Sequence, residues 1–130
     1  MPSPKILIVD DEEETRKLIH DHLVNRIECT VLEAANGYEA LEIFQKEKID
    51  LMLLDLRMPG ISGTDVIKKA KEISREVPII VISGWEGASV YQHVEECGAD
   101  EYIPKPFSLK VVKAKVEEKL KKAGKYSAKS

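Results

Sequence analysis

Apolar residues in this chain gather in short runs that alternate with segments whose apolar positions recur every three or four residues. The runs are Lys5-Ile6-Leu7-Ile8-Val9-Asp10, Cys29-Thr30-Val31-Leu32-Glu33, Ile49-Asp50-Leu51-Met52-Leu53-Leu54-Asp55, Pro78-Ile79-Ile80-Val81-Ile82-Ser83 and Glu101-Tyr102-Ile103-Pro104-Lys105. The third is too short for an ordinary helix and has no period-2 polar face, so it reads as a central strand of a parallel sheet. Proline at the start of the fourth run costs no ladder donor.

The intervening segments carry helical spacing. Asp11-Glu12-Glu13-Glu14 puts negative charge in a first turn, where the macrodipole favours it, and predicts a helix with Leu18, Ile19 and Leu23 turned inward. Asn36-Gly37 opens a helix burying Ala40, Leu41 and Phe44. Ser62-Gly63-Thr64-Asp65 caps one bearing Val66, Ile67, Ala70 and Ile73, after a turn at Pro59-Gly60. Gly84-Trp85-Glu86-Gly87 precedes a short helix marked by Val90, Val94 and Cys97. Ser108 caps a last helix with Leu109, Val112, Val116 and Leu120, ending before Gly124. Strands alternating with helices predict an α/β domain, a doubly wound five-stranded parallel sheet in the flavodoxin-like order 2-1-3-4-5 with five helices. The domain is expected to occupy residues 1–124, with 125–130 a flexible tail or linker stub.

Length and composition narrow the class. The chain has 130 residues, enough for one core, and 43% hydrophobic with 33% charged residues suits a globular domain. A formal net charge of -3 argues against direct nucleic-acid binding by the fold as a whole. The apolar runs are strand-length and no apolar signal region opens the sequence, so neither a membrane span nor secretion is expected and the reading is cytoplasmic. Cys29 and Cys97 lack metal or CxxC spacing and read as reduced, packed thiols. His20 and His22, two apart on one helix, cannot share a face and read as surface residues.

Chemistry concentrates at the strand ends. In the 2-1-3-4-5 order the first and third strands are neighbours, so Asp10, Asp11 and Asp55 meet at one edge. Three carboxylates in one pocket resist ionising together unless a cation sits among them. All-oxygen ligands with room for water suit Mg²⁺. Lys105 follows the fifth strand and can bring a second positive charge, and Ser83 ends the fourth strand with a hydroxyl.

Asp10-Asp11, Asp55 with Met58-Pro59-Gly60, Ser83-Gly84 and Lys105-Pro106-Phe107, in this order after their strands, resemble the response-regulator receiver domain of two-component phosphorelays. The resemblance runs from about Lys5 to Leu120. It implies that Asp55 accepts a phosphoryl group from a phosphohistidine donor, a sensor histidine kinase or a histidine phosphotransfer protein. It implies a Mg²⁺ or Mn²⁺ ion held by Asp10, Asp11, Asp55 and the carbonyl of Arg57, with Lys105 and Ser83 on the phosphoryl oxygens. It further implies a cis Lys105-Pro106 peptide and a switch in which Ser83 and Tyr102 move together. That switch would alter the face of the fourth helix, fifth strand and fifth helix, where a downstream protein or a second copy binds. Such a domain is not an enzyme in the usual sense, since it catalyses only its own phosphoryl acceptance and autodephosphorylation. Arg57 and Trp85 are bulky neighbours expected to govern water's approach.

Competing chemistries fit less well. A flavodoxin's first loop must cradle a phosphate, and the acidic block Asp10–Glu14 would repel it. A haloacid-dehalogenase-type phosphatase resembles an Asp-x-Asp pattern, where Arg57 stands here. No Gly-Lys-Ser/Thr of a P-loop occurs. The alternative of another class is a receiver-like module that docks without phosphorylation, and loss of an acid or the lysine would mark it.

Overall fold

The computed structural model describes residues 3–57, 60–84 and 88–129, the side chains of 88 and 89 apart. Met58-Pro59 and Trp85-Glu86-Gly87 of the sequence motifs lie outside the described residues. The elements alternate as β1 (Lys5–Val9), α1 (Glu13–Val24), β2 (Thr30–Ala34), α2 (Gly37–Lys46), β3 (Leu51–Asp55), α3 (Gly63–Ile73), β4 (Ile79–Ser83), α4 (Ala88–Cys97), β5 (Glu101–Pro104) and α5 (Leu109–Lys122). All strand pairs are parallel and the order is β2-β1-β3-β4-β5. The expected doubly wound sheet is thus present.

Side chains alternate across the sheet and fill two cores. Leu7, Val9, Met52, Leu54, Ile79 and Val81 face one way, against α2, α3 and α4, through Phe44, Val66, Ile67 and Val94. Ile6, Ile8, Leu51, Leu53, Ile80 and Ile82 face α1 and α5, through Ile19, Leu23, Val112, Val116 and Leu120. Every residue of β3 and β4 is buried, as a strand covered on both faces requires. Each large aliphatic side chain so placed contributes about 1.5–3 kcal/mol relative to exposure.

Local signals fix the helix starts. Asn36 Oδ1 accepts from Glu39 N at 2.9 Å, Ser62 Oγ from Asp65 N at 3.2 Å and Ser108 Oγ from Val111 N at 3.1 Å. Each bond satisfies a donor that the helix itself leaves unpaired. Glu12, at the start of α1, makes no side-chain cap, and the acids Glu13 and Glu14 favour that end electrostatically instead.

Several expectations need correction. Leu18 is 59% exposed and Ile73 44% exposed, because each lies at the edge of its helix's apolar stripe, beyond the reach of the sheet. His20 is not a free surface residue: its Nδ1 lies 3.0 Å from Glu33 on β2, beside the Arg16–Glu33 pair at 3.0 Å. His22 is half-buried. Residues 125–129, expected to form a flexible tail or linker stub, are docked instead. Ala128 pairs antiparallel with Ile27, Glu28 N donates to Ser127 O at 2.9 Å and Lys129 N to Arg26 O at 3.0 Å. Lys125 Nζ meets Asp50 at 2.7 Å, a contact spanning most of the sequence that no local pattern announces. Both cysteines are free thiols, Cys29 half-buried and Cys97 buried.

Candidate functional site

Strand register assembles the site. Val9 is level with Leu54, so the next residues, Asp10 and Asp55, leave the sheet side by side. Asp55 is level with Ile82, and Ser83 with Pro104, so Ser83 and Lys105 emerge next to them. Among the described residues the buried polar or charged side chains are Asp10, Asp55 and Ser83. All stand at the carboxyl ends of adjacent central strands, the edge where open α/β sheets place ligands. Burying such groups is unfavourable unless partners or a ligand satisfy them.

Carboxylate oxygens of Asp10, Asp11 and Asp55 lie within 4.8 Å of one another, with Asp11 exposed and the others buried. Asp10 Oδ1 accepts from Glu12 N at 2.8 Å, which turns its carboxylate into the pocket, and the Arg16 guanidinium holds the Asp10 carbonyl at 2.6 Å. Asp55 Oδ1 accepts from Arg57 N at 3.0 Å, so the chain doubles back just past β3. Lys105 Nζ donates to Asp55 Oδ2 at 2.9 Å. Its backbone N donates to Ser83 O at 2.8 Å, and the Lys105-Pro106 peptide is cis, as the family resemblance implied.

Electrostatics shows what the pocket lacks. Burial pushes the Asp10 carboxyl up to about 6, the charges of Asp55 and Asp11 push the same way, and the Glu12 N–H and Lys105 only partly oppose them. Burial alone would lower the Lys105 ammonium, but its bond to Asp55 and the charges of Asp55, Asp10 and Glu12 raise it. One lysine therefore leaves the pocket with negative charge in excess. Hard oxygen donors from two buried acids and one exposed acid, open toward solvent through Asp11, fit a divalent cation that keeps part of its water shell.

Every described residue singled out at the strand ends falls at this edge, with Arg57 placed by its backbone. Tyr102 stands on β5, half-buried, with its ring 4.3 Å from that of Tyr91 at 66°. Sequence reasoning missed Arg16, Glu12 and Tyr91. Arg16 and Glu12 act through backbone groups of the first loop, which no residue spacing reveals. The aromatic pair could have been suspected from two tyrosines on consecutive elements.

Sporulation initiation phosphotransferase F of Bacillus subtilis is 34% identical over 120 residues, covering 92% of this chain and 96% of that protein. Probable transcriptional regulator ycf27 of Porphyridium aerugineum is 38% identical over 128 residues, 98% of this chain but 52% of that protein, so the chain spans about half its length. A CheY-like response regulator receiver domain protein from Methanospirillum hungatei is 28% identical, with a TM-score of 0.83 over 95% of this chain and 98% of that one. Residues 6–117 match the model of the response regulator receiver domain. A chain that carries this match over nearly its whole length, with the same fold, belongs to that family and is a receiver domain of two-component phosphorelay signalling.

Proposed function

We propose that Asp55 is the phosphoryl acceptor and that the domain takes its phosphoryl group from a phosphohistidine on a sensor histidine kinase or a histidine phosphotransfer protein. The observation that carries this reading is the gathering of the buried polar side chains at one sheet edge, with Lys105 Nζ on Asp55. An Asp55 carboxylate oxygen attacks phosphorus in line, the new O–P bond forms as the N–P bond of the donor breaks, and the imidazole leaves with its electron pair. Phosphoryl transfer has a loose transition state, so positioning and neutralisation of the phosphoryl oxygens supply most of the catalysis. Lys105 is tethered beside the nucleophile and supplies one positive charge. Asp10, Asp11, Asp55 and the Arg57 carbonyl are the groups that would hold Mg²⁺ or Mn²⁺, which when bound neutralises phosphoryl oxygens. The Ser83 hydroxyl would bond one of those oxygens.

The acyl phosphate is the signal and no other substrate is turned over. Movement of Ser83 toward the phosphoryl group would vacate space that Tyr102 can enter, biasing the α4, β5 and α5 face, from about residue 87 to Leu120, toward its downstream protein or a second copy. Among the described residues no helix is long and apolar enough to cross a membrane, and a cytoplasmic location follows from the family's signalling role. Incubation with acetyl phosphate and Mg²⁺, followed by intact-mass and peptide spectrometry, tests the assignment. One phosphoryl group on Asp55 is expected. An adduct that persists in Asp55→Asn would overturn it.

A further inference from the structure

A second charged site lies away from the acidic edge. The carboxyl-terminal end of α1, the first half of α5 and the docked segment 125–129 border an open cleft of about 560 Å³. His22, Arg26, Lys110, Lys113 and Lys129 stand around it, and among the described residues its lining contains no carboxylate. In a chain of net charge -3 this is a local reversal of sign. Glu117 and Glu28 reach Lys113 and Lys129 from outside the lining, while no ion pair engages Arg26 or Lys110 among the described residues. His22 is itself half-buried, with its Nε2 buried and without a protein hydrogen-bond partner among the described residues.

From this geometry we infer that the cleft binds a multiply charged phosphate anion, the phosphate chain of a small metabolite or of free polyphosphate. Arginine's fork and several lysine ammoniums match phosphate oxygens. The volume lies in the range of small-ligand pockets. Tyr126 also lines the cleft, but Lys121 Nζ covers its ring at 4.8 Å, so the phosphate chain carries recognition more than any ring stacked there. The site shares no residue with the acidic edge, and the inference stands whether or not Asp55 is phosphorylated.

The experiment titrates the full chain, without divalent cations, with tripolyphosphate, ATP and a short oligoglutamate of similar charge, followed by calorimetry and by NMR of His22. Saturable binding of tripolyphosphate is expected, weakened by about tenfold or more in Arg26→Gln and likewise in Lys110→Gln, since each charged hydrogen bond lost is worth at least that factor. Lys68→Gln, an exposed lysine on α3, should leave it unchanged. His22 loses its proton more readily than usual because of its burial and the charges of Arg26 and Lys113. An anion among Arg26, Lys110, Lys113 and Lys129 should reverse that direction and raise its pKa. ATP binding no tighter than tripolyphosphate assigns the phosphate chain alone, and tighter binding assigns a nucleotide. Absence of saturation, equal weakening by Lys68→Gln, or oligoglutamate binding as tight as tripolyphosphate would each overturn the inference.

Discussion

Gly63→Ala is a small change with two opposed effects whose sizes can be compared. Gly63 is the buried first residue of α3 and does not have a positive φ, so alanine is conformationally acceptable there and should gain about 0.5–1 kcal/mol from helix preference. Space decides otherwise. A Cβ at Gly63 would lie 2.9 Å from Leu56 Cα and 2.9 Å from Leu56 O, both backbone atoms that no rotamer change can move. Leu56 follows Asp55 directly, and Val66 and Ile67 behind Gly63 are fully buried, so α3 can retreat only by disturbing a filled core. Overpacking of this kind costs about 1–3 kcal/mol, and backbone contact puts this case at the upper end, about 3 kcal/mol. The net loss is then about 2 kcal/mol, which for a chain of 130 residues lowers the thermal midpoint by roughly 7 °C. Because the strained contact is one residue from Asp55, phosphorylation by acetyl phosphate should slow as well. Gly37→Ala is the control. Its Cβ would overlap side-chain atoms of Ile61 and of Val66, at 2.6 Å for Val66 Cγ2, so it should lower stability without touching the rate. Differential scanning calorimetry and a phosphorylation time course on both variants read the result. A Gly63→Ala midpoint at or above wild type would refute the steric argument.

Lys105→Met should slow phosphorylation at least tenfold yet tighten divalent-ion binding about fivefold or more, since removing one positive charge beside Asp55 is worth roughly 1 kcal/mol even with the screening of bulk water; ion affinity that falls instead would contradict the charge balance drawn for this pocket. Burial would push the Asp50 carboxyl up, but Lys125 and the Lys5 N–H hold it below its usual value. Its contribution is present above the unfolded pKa of about 4 and fades as pH falls through the lower folded value. Asp50→Asn should therefore cost about 1 kcal/mol at neutral pH and little at strongly acid pH in urea titrations, and a pH-independent difference would count against the ion pair. Burial pushes the Cys29 thiol up to about 11. It should react slowly with a disulfide reagent at pH 8, and faster once residues 125–130 are deleted, because that segment pairs beside it; equal rates would mean the segment does not shield it.

The sequence by itself determined the elements, their order and the chemistry at the strand ends. Apolar runs such as Leu51–Leu54 and caps such as Asn36, Ser62 and Ser108 act over a few residues, so their meaning is written locally. The acids, the serine and the lysine were legible because a parallel sheet sends every carboxyl end to the same edge, and strand order alone then brings Asp10 beside Asp55. Tertiary structure decided what depends on partners distant in the chain. It left Leu18 and Ile73 exposed, tied His20 to Glu33, set the close approach of Gly63 to Leu56 and docked the last residues on the turn after α1. It also grouped His22 and Arg26 with Lys110, Lys113 and Lys129, basic side chains from three segments whose spacing in sequence carries no common period. Periodicity reports which face of an element is apolar. How far the neighbouring element reaches across that face, and which charges meet at its rim, is fixed only when the whole core packs.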